Sequence, residues 1–124
     1  MILVIDDERD IFTITGLKYR QLAMLPGFTD EQKAILVKDI RRNVVHVKNY
    51  DEAIKFLSNN TPEMIFFDND IASDKEGYDI LKWYLDKNPA RFEAYFHTCN
   101  MIARKNMVYL YESYKHYFWN QSKV

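Results

Sequence analysis

The chain has 124 residues and a formal net charge of -1, which fits one compact domain and disfavours a second. Hydrophobic residues make up 48% and charged residues 28% of the chain, a composition that excludes a disordered protein. Because there are only three Gly and three Pro, most of the chain must form regular helices and strands, and an all-β protein with many tight turns is disfavoured.

The charge balance, the cysteine count and the N-terminal segment limit the class of protein further. A net charge near zero gives no basic footprint, so we expect no duplex nucleic acid as the main partner. The single cysteine, Cys99, excludes an intrachain disulfide and is expected to be a small buried side chain. The apolar run at 1–5 is too short for a signal peptide, and no run approaches a transmembrane span. We therefore expect a cytoplasmic protein with no membrane partner.

The first part of the chain predicts one strand and two helices. Residues 1–5 form a continuous aliphatic run ended by acids, which is typical of a strand buried on both faces of a parallel sheet. A helix-like stretch follows over about 10–24 and is closed by a Pro-Gly pair. Thr29 and Gln32 have the spacing of a capping box and predict a second helix over about 29–42.

The middle of the chain predicts two more strands around a helix. β-branched residues indicate a strand over 43–48, and Asn49 is placed to cap the helix after it. The run at 64–67 is again apolar throughout and again ended by acids, so we expect it to be a central strand.

The last part predicts a helix, an edge strand and a long final helix. Gly77 opens the first helix, polar and apolar residues alternate over 92–98 as in a strand near a sheet edge, and Asn100 begins the final helix. The expected core stripe of that helix consists of Met107, Leu110, Tyr111, Tyr114 and Phe118. The order of elements predicts a three-layer α/β fold with a mostly parallel sheet of about four strands.

Acidic residues directly follow two of the predicted strands. In an open parallel sheet, ligands bind outside the carboxyl ends of the strands, so these acids should meet at one edge. Clustered carboxylates persist mainly where a cation compensates them, and oxygen ligands suit Mg²⁺ or another divalent cation, which would recruit phosphate. We therefore expect a metal site formed by Asp6, Asp7, Asp68 and Asp70.

The end of the fourth strand adds groups that can transfer protons and bind anions. His97 can donate or accept a proton near neutral pH. Thr98 and Asn100 stand beside the start of a helix, whose free amides and positive dipole end favour an anion such as phosphate. His46 and His116 lack acidic or cysteine neighbours at ligand spacing, so we expect them to be structural or surface residues.

The C-terminal region carries more aromatic residues than one helix face can bury. They are Tyr109, Tyr111, Tyr114, Tyr117, Phe118 and Trp119. Most should be core, and the outer ones are a candidate partner surface for a homo-oligomer, as is the helical segment before the second strand.

The acids after the first strand, Asp68 after the third and Thr98 after the fourth resemble the receiver domain of response regulators. In that family an acid pair binds Mg²⁺, the third-strand Asp accepts a phosphoryl group, and a Ser or Thr follows the fourth strand. Receivers have a fifth strand ending in Lys, whereas this chain has one long helix after His97. The resemblance implies a receiver-like, flavodoxin-like fold and a signalling or binding module, with Asp68 as phosphoacceptor or as part of a pseudo-receiver.

A closer resemblance is to the divergent family described as the cyclic-phosphate processing receiver domain. It is carried by Asp6, Asp7, Glu8 and Arg9; by Phe67, Asp68, Asn69 and Asp70 with Gly77 downstream; and by His97, Thr98, Cys99 and Asn100 followed by Asn106 and Met107. Met101 and Ala103 stand where the family usually has Pro and Gly, and Asn69 where His is commoner. The resemblance covers 1–9 and about 43–114, which implies one receiver-like domain over 1–124 with a helical insertion at about 11–42.

This resemblance implies a metal-dependent phosphoesterase, a hydrolase whose ligand is a small cyclic phosphate or an RNA end. The aspartates would hold Mg²⁺ and His97 would act as general acid or base. The phosphate-binding residues would be Arg9, Thr98, Asn100 and Asn106.

Two alternatives stay open. Asp68 can act as a nucleophile in a covalent route instead of as a metal ligand alone. A TOPRIM-like nuclease site also pairs an acid after one strand with an Asp-x-Asp after another, although the Glu beside Gly that is usual there is absent from this chain.

Overall fold

A four-stranded parallel sheet forms the centre of the molecule, and a computed structural model describes residues 1–14, 27, 29–71 and 73–120. The strands are β1 (Ile2–Ile5), β2 (Val44–Val47), β3 (Met64–Phe67) and β4 (Glu93–Phe96), and they lie in the order β2-β1-β3-β4. This confirms the predicted α/β fold with a parallel sheet of about four strands, and β1 and β3 occupy the two central positions.

The helices follow the predicted order. They are α1 (Ile11–Ile14), α2 (Asp30–Arg42), α3 (Tyr50–Asn59), α4 (Gly77–Leu85) and α5 (Met101–Tyr114), which continues into a π-helical turn (Lys115–Trp119). The capping box of Thr29 with Gln32 is confirmed, and Asn49 and Asn100 cap α3 and α5 as predicted. The helix predicted over 10–24 lies outside the described residues beyond α1. Among the described helices, none is both long enough and apolar enough to span a bilayer.

The ends of the three neighbouring strands β1, β3 and β4 are in register. Asp6, Asp68 and His97 each extend the ladder by one residue, because their backbone N–H groups donate to carbonyls of β2, β1 and β3 at 3.1, 2.9 and 3.1 Å. The three residues therefore lie in one row at the carboxyl edge of the sheet, directly after the adjacent strands β1, β3 and β4.

The two faces of the sheet are covered by different helices. The larger core lies on one face, where side chains from all four strands pack against α3, α4 and α5. On the other face, Val4 and Phe66 pack against Ile11 of α1 and against Val37 and Ile40 of α2. The segment expected to be an insertion thus supplies the helix that buries the second face of the sheet.

The aromatic residues of α5 close the larger core, with one exception to the prediction. Met107 and Tyr111 are buried, and the Tyr111 hydroxyl donates to the carbonyl of Phe92 at 2.6 Å. The prediction that Phe118 belongs to the core stripe is wrong, since its side chain is 61% exposed. After Tyr114 the helix becomes π-helical, with more residues per turn, so Trp119 and not Phe118 faces the core. The ring of Trp119 packs on Phe92 and Tyr111.

The expectation that Cys99 is buried is also wrong. The side chain is exposed, because it lies in the connection between β4 and α5, beyond the end of the sheet, where the preceding Thr98 takes the buried position.

The start of α4 packs directly on the backbone that follows β3. A Cβ atom at position 77 would lie 1.9 Å from the carbonyl oxygen of Asp68, so only glycine fits there. Gly77 N–H donates to the carbonyl of Asn69 at 2.9 Å. The fully buried Asn69 amide donates to Glu76 Oε2 at 3.1 Å and accepts from the backbone N–H of Tyr78 at 3.2 Å. This joint, made by Asn69, Glu76 and Gly77, holds the main chain at Asp68 in place.

We expect the substitution Gly77→Ala to lower the free energy of unfolding by about 3 kcal/mol, because the new methyl group forces the helix off the Asp68 backbone. Urea unfolding of purified protein measures this. Lys82→Ala, on the exposed side of the same helix, is the control and should change stability by less than about 0.5 kcal/mol. Equal stability of the Gly77→Ala variant and the wild type would contradict the close packing.

Candidate active site

Three chemically active side chains meet at the carboxyl edge of the sheet. Asp6 after β1, Asp68 after β3 and His97 after β4 each offer one ligand atom, and these atoms all lie within 4.8 Å of one another. Their side chains are 1%, 9% and 11% exposed. The cluster is of a kind that could hold a metal ion, because carboxylate oxygen and imidazole nitrogen are both common ligands of divalent cations.

Asp6 is the most strongly held of the three. Its Oδ1 accepts the backbone N–H groups of Glu8 and Arg9, both at 2.8 Å. Its Oδ2 accepts from Arg9 Nε at 3.1 Å and from His97 Nε2 at 2.8 Å. The backbone carbonyl of Asp6 accepts from His46 Nε2 at 2.7 Å. A carboxylate has about four lone-pair positions, so the four bonds to Oδ1 and Oδ2 use all of them.

Arg9 connects the two carboxylates. Besides its bond to Asp6, its Nη2 lies 3.7 Å from Asp68 Oδ2 and donates to the carbonyl of His97 at 3.4 Å. Burial by itself would lower the pKa of Arg9, but the charges of Asp6 and Asp68 outweigh it and raise that pKa. The guanidinium is one-third exposed, so it lies at the mouth of the cluster.

The two buried carboxyl groups have pKa values that move in opposite directions. Burial would raise the pKa of Asp6, but the hydrogen bonds from the backbone of Arg9 and Glu8, and then from His97, bring it below its usual value. Burial and the neighbouring charge of Asp6 raise the pKa of Asp68, against the opposing effects of His97 and Arg9. Asp6 is therefore held as an anion by its donors, whereas Asp68 is the less compensated of the two carboxyl groups.

His97 is held as a neutral imidazole with one free nitrogen. Burial lowers its pKa, although the hydrogen bond and the charge of Asp6 oppose this. Because the Asp6 carboxylate only accepts, the proton sits on Nε2, and Nδ1 carries the lone pair. Nδ1 is buried and has no hydrogen-bond partner among the described residues. A buried acceptor without a donor is unusual, and it leaves this nitrogen with an unused lone pair.

The other predicted metal ligands lie outside this cluster. Asp7 is half-exposed and Asp70 is exposed, and neither belongs to the group of ligand atoms within 4.8 Å. Their role as ligands stays a prediction.

The predicted phosphate-binding residues after β4 build the start of α5. Thr98 is buried, and its Oγ1 accepts the backbone N–H of Asn100 at 3.2 Å. The Asn100 side chain accepts the N–H of Ala103 at 3.1 Å as the helix cap. Asn106 is exposed on α5, and with Asn100 it lines a cavity of about 270 Å³ between the starts of α4 and α5. The structure thus brings Asn100 and Asn106 together on this cavity, and neither belongs to the cluster of Asp6, Asp68 and His97.

Two residues with a part in the site were not singled out from the sequence for that role. His46 was expected to be structural or on the surface, and it is half-buried and fixes the backbone of Asp6. The feature that could have indicated this role is the parallel pairing of β2 with β1, which places His46 beside Val4, two residues before Asp6. Asn69 was noted only as a departure from the family pattern, and it locks α4 to the strand end that carries Asp68.

Comparison with known proteins identifies the family. No curated protein and no solved structure matches this sequence. The family described as "Cyclic-phosphate processing Receiver domain" matches residues 1–113, a range that includes α1 and α2. The parallel sheet with strand order β2-β1-β3-β4 and the helices on both its faces agree with this match. The chain belongs to the cyclic-phosphate processing receiver domain family.

Proposed function

We propose that this protein is a phosphoesterase that hydrolyses cyclic phosphates with the help of a divalent cation. The observation that carries the proposal is the row of Asp6, Asp68 and His97, whose ligand atoms lie within 4.8 Å of one another in a member of this family. The substrate class is a 2',3'-cyclic phosphate at an RNA end or a cyclic nucleotide. Two neighbouring carboxyl groups whose pKa values move apart, that of Asp6 down and that of Asp68 up, support catalysis over simple binding.

The cation would be held by Asp6 and Asp68, with Asp7 and Asp70 as the further ligands predicted from the sequence. Carboxylate ligands suit Mg²⁺ and Mn²⁺. When bound, the cation supplies a Lewis acid that polarises a phosphoryl oxygen.

His97 is the general base of this proposal. Its free Nδ1 accepts a proton from the water that attacks phosphorus, while Asp6 holds the ring through Nε2 and stabilises the imidazolium that forms. The attack breaks one of the two ring P–O bonds, and the departing alkoxide oxygen takes up a proton, which His97 can return. In the covalent route, Asp68 attacks phosphorus first, one ring P–O bond breaks and the departing alkoxide oxygen takes up a proton. Water then hydrolyses the acyl phosphate and regenerates the Asp68 carboxylate.

The phosphate itself would be bound by Arg9 and by groups at the start of α5. The guanidinium lies at the mouth of the cluster and offers a planar pair of donors, which matches two phosphate oxygens. Thr98, Asn100 and Asn106 belong to the adjoining loop and helix, and the cavity lined by the two asparagines leaves room for the rest of the substrate.

We expect the substitutions Asp68→Asn and His97→Ala each to reduce hydrolysis of cyclic phosphates by at least about 100-fold, because each removes a group that reacts or transfers a proton. The assay uses a panel of 2',3'-cyclic and 3',5'-cyclic phosphates with Mg²⁺ or Mn²⁺. Asp86→Asn and His116→Ala are matched controls, since both residues are exposed and lie outside the site. Activity that survives in both site variants would overturn the enzymatic proposal.

We also expect Mg²⁺ or Mn²⁺ to raise the melting temperature of the wild type, because a ligand that binds only the folded state stabilises it by about 2.7 kcal/mol at one hundred times its dissociation constant. Asp68→Asn should abolish this shift, since it removes a charged ligand from the cluster. Differential scanning fluorimetry with and without a chelator measures both. A shift of the same size in the Asp68→Asn variant would place the cation elsewhere.

A receiver-type signalling module is the second candidate function. The observation that favours it is Asp68 itself, a buried and poorly compensated carboxyl group at the end of the third strand of a receiver-like sheet. Against it stands the four-stranded sheet of the described residues, in which no fifth strand supplies the Lys that receivers carry.

If the signalling function is the right one, acetyl phosphate should label Asp68 stably, and beryllofluoride with Mg²⁺ should bind at the same residue, without turnover of any cyclic phosphate. Intact-protein mass spectrometry detects the addition of one phosphoryl group, and Asp86→Asn is the control because that acid is exposed and lies outside the site. Turnover of cyclic phosphate without lasting label would instead support the hydrolase.

A further inference from the structure

The positive charge at the carboxylate cluster comes from the chain itself. Asp6 and Asp68 are 1% and 9% exposed, and burial of two carboxylates is costly unless a cation compensates them. Arg9 lies within 4 Å of both, with Nε at 3.1 Å from Asp6 Oδ2 and Nη2 at 3.7 Å from Asp68 Oδ2. The guanidinium therefore bridges one oxygen of each carboxylate.

The hydrogen bonds of Asp6 leave no lone pair for another cation. Oδ1 accepts two backbone N–H groups, and Oδ2 accepts from Arg9 Nε and His97 Nε2. The two backbone donors are fixed by the turn that follows β1, and His97 is fixed by its backbone bond to β3. Arg9 is the donor that can leave, because its side chain is long, rotatable and one-third exposed.

We propose that Arg9 closes the cation site: its guanidinium and a divalent cation compete for Asp6 Oδ2 and Asp68 Oδ2, so the cation binds only after Arg9 has swung away. This inference rests on the cation site of the proposed function. It adds an order of events, because the guanidinium that the cation displaces is then free, at the mouth of the cluster, to bind the phosphate of the substrate. Arg9 thus keeps the apo site neutralised and becomes a phosphate ligand in the loaded site.

The first test measures cation affinity directly. In Arg9→Met, which keeps the apolar stem but removes the charge and the donors, Mn²⁺ should bind at least about tenfold more tightly than in the wild type, because a competing positive charge within 4 Å is gone. Free Mn²⁺ is followed by electron paramagnetic resonance. Arg42→Met is the matched control; that arginine is exposed at the end of α2, before β2 starts, at the opposite edge of the sheet. Unchanged or weaker Mn²⁺ binding in Arg9→Met overturns the proposal.

The second test uses the wild type and does not depend on the stability of a variant. In the apo protein the Arg9 Nε–H group is hydrogen-bonded to Asp6, so its ¹⁵N–¹H resonance should be protected from exchange with water. Saturating Mg²⁺ should shift this resonance and remove the protection. If Mg²⁺ binds while the resonance stays in place, Arg9 does not compete with the cation and the proposal is wrong.

The two tests separate this inference from the proposed function. Competition between Arg9 and the cation together with no hydrolysis of any cyclic phosphate would remove the enzymatic proposal and leave the inference standing. If the protein hydrolyses cyclic phosphates but the wild type and Arg9→Met bind Mn²⁺ equally well, the enzymatic proposal stands and the inference is wrong. If Mn²⁺ binds neither protein, the cation site itself is absent and both the cation-dependent mechanism and the inference fall.

Discussion

The site depends on the register of the parallel sheet. β1, β3 and β4 end at the same level, and each following residue adds one more hydrogen bond to the ladder, so Asp6, Asp68 and His97 lie side by side. Parallel strands are less than 5 Å apart, which is why three residues from distant parts of the chain come within ligand distance. A slip of one residue would send a side chain to the other face of the sheet, so the buried apolar pattern of the strands also protects the site.

Register alone does not fix the direction of the side chains, and the loops after the strands do this. Asp6 turns back to accept two N–H groups from its own loop, and this same turn delivers Arg9 to the cluster. On β3, the packing of Gly77 against the Asp68 carbonyl and the bonds of Asn69 hold the chain end rigid. The polar groups of the candidate site are therefore held in a fixed geometry by backbone contacts.

The sequence predicted the sheet and the edge at which Asp6, Asp68 and His97 meet, because both follow from local patterns. Apolar runs ended by acids predict buried parallel strands, and the sheet rule then brings Asp68 and His97 to the edge where Asp6 lies. Contacts made by long side chains were not predictable: nothing in the order of residues says that Arg9 reaches both carboxylates. The exposure of Phe118 was not predicted for another reason. The prediction assumed 3.6 residues per turn throughout the helix, whereas the last turn is π-helical and has more residues per turn, so a different residue faces the core.

The four-stranded sheet of the described residues also has a positive charge beside the aspartate that follows its third strand. Receivers bring a positive charge to the site from the end of a fifth strand, beyond β4, whereas the described sheet ends at β4. Here the charge beside Asp68 comes from Arg9, in the loop after β1, on the opposite side of β3 from β4. The second face of the sheet is covered by α2, from the region before β2. The positive charge and the helix that covers this face are thus both supplied by the part of the chain between β1 and β2, while β4, the edge strand of the described sheet, leads directly into His97.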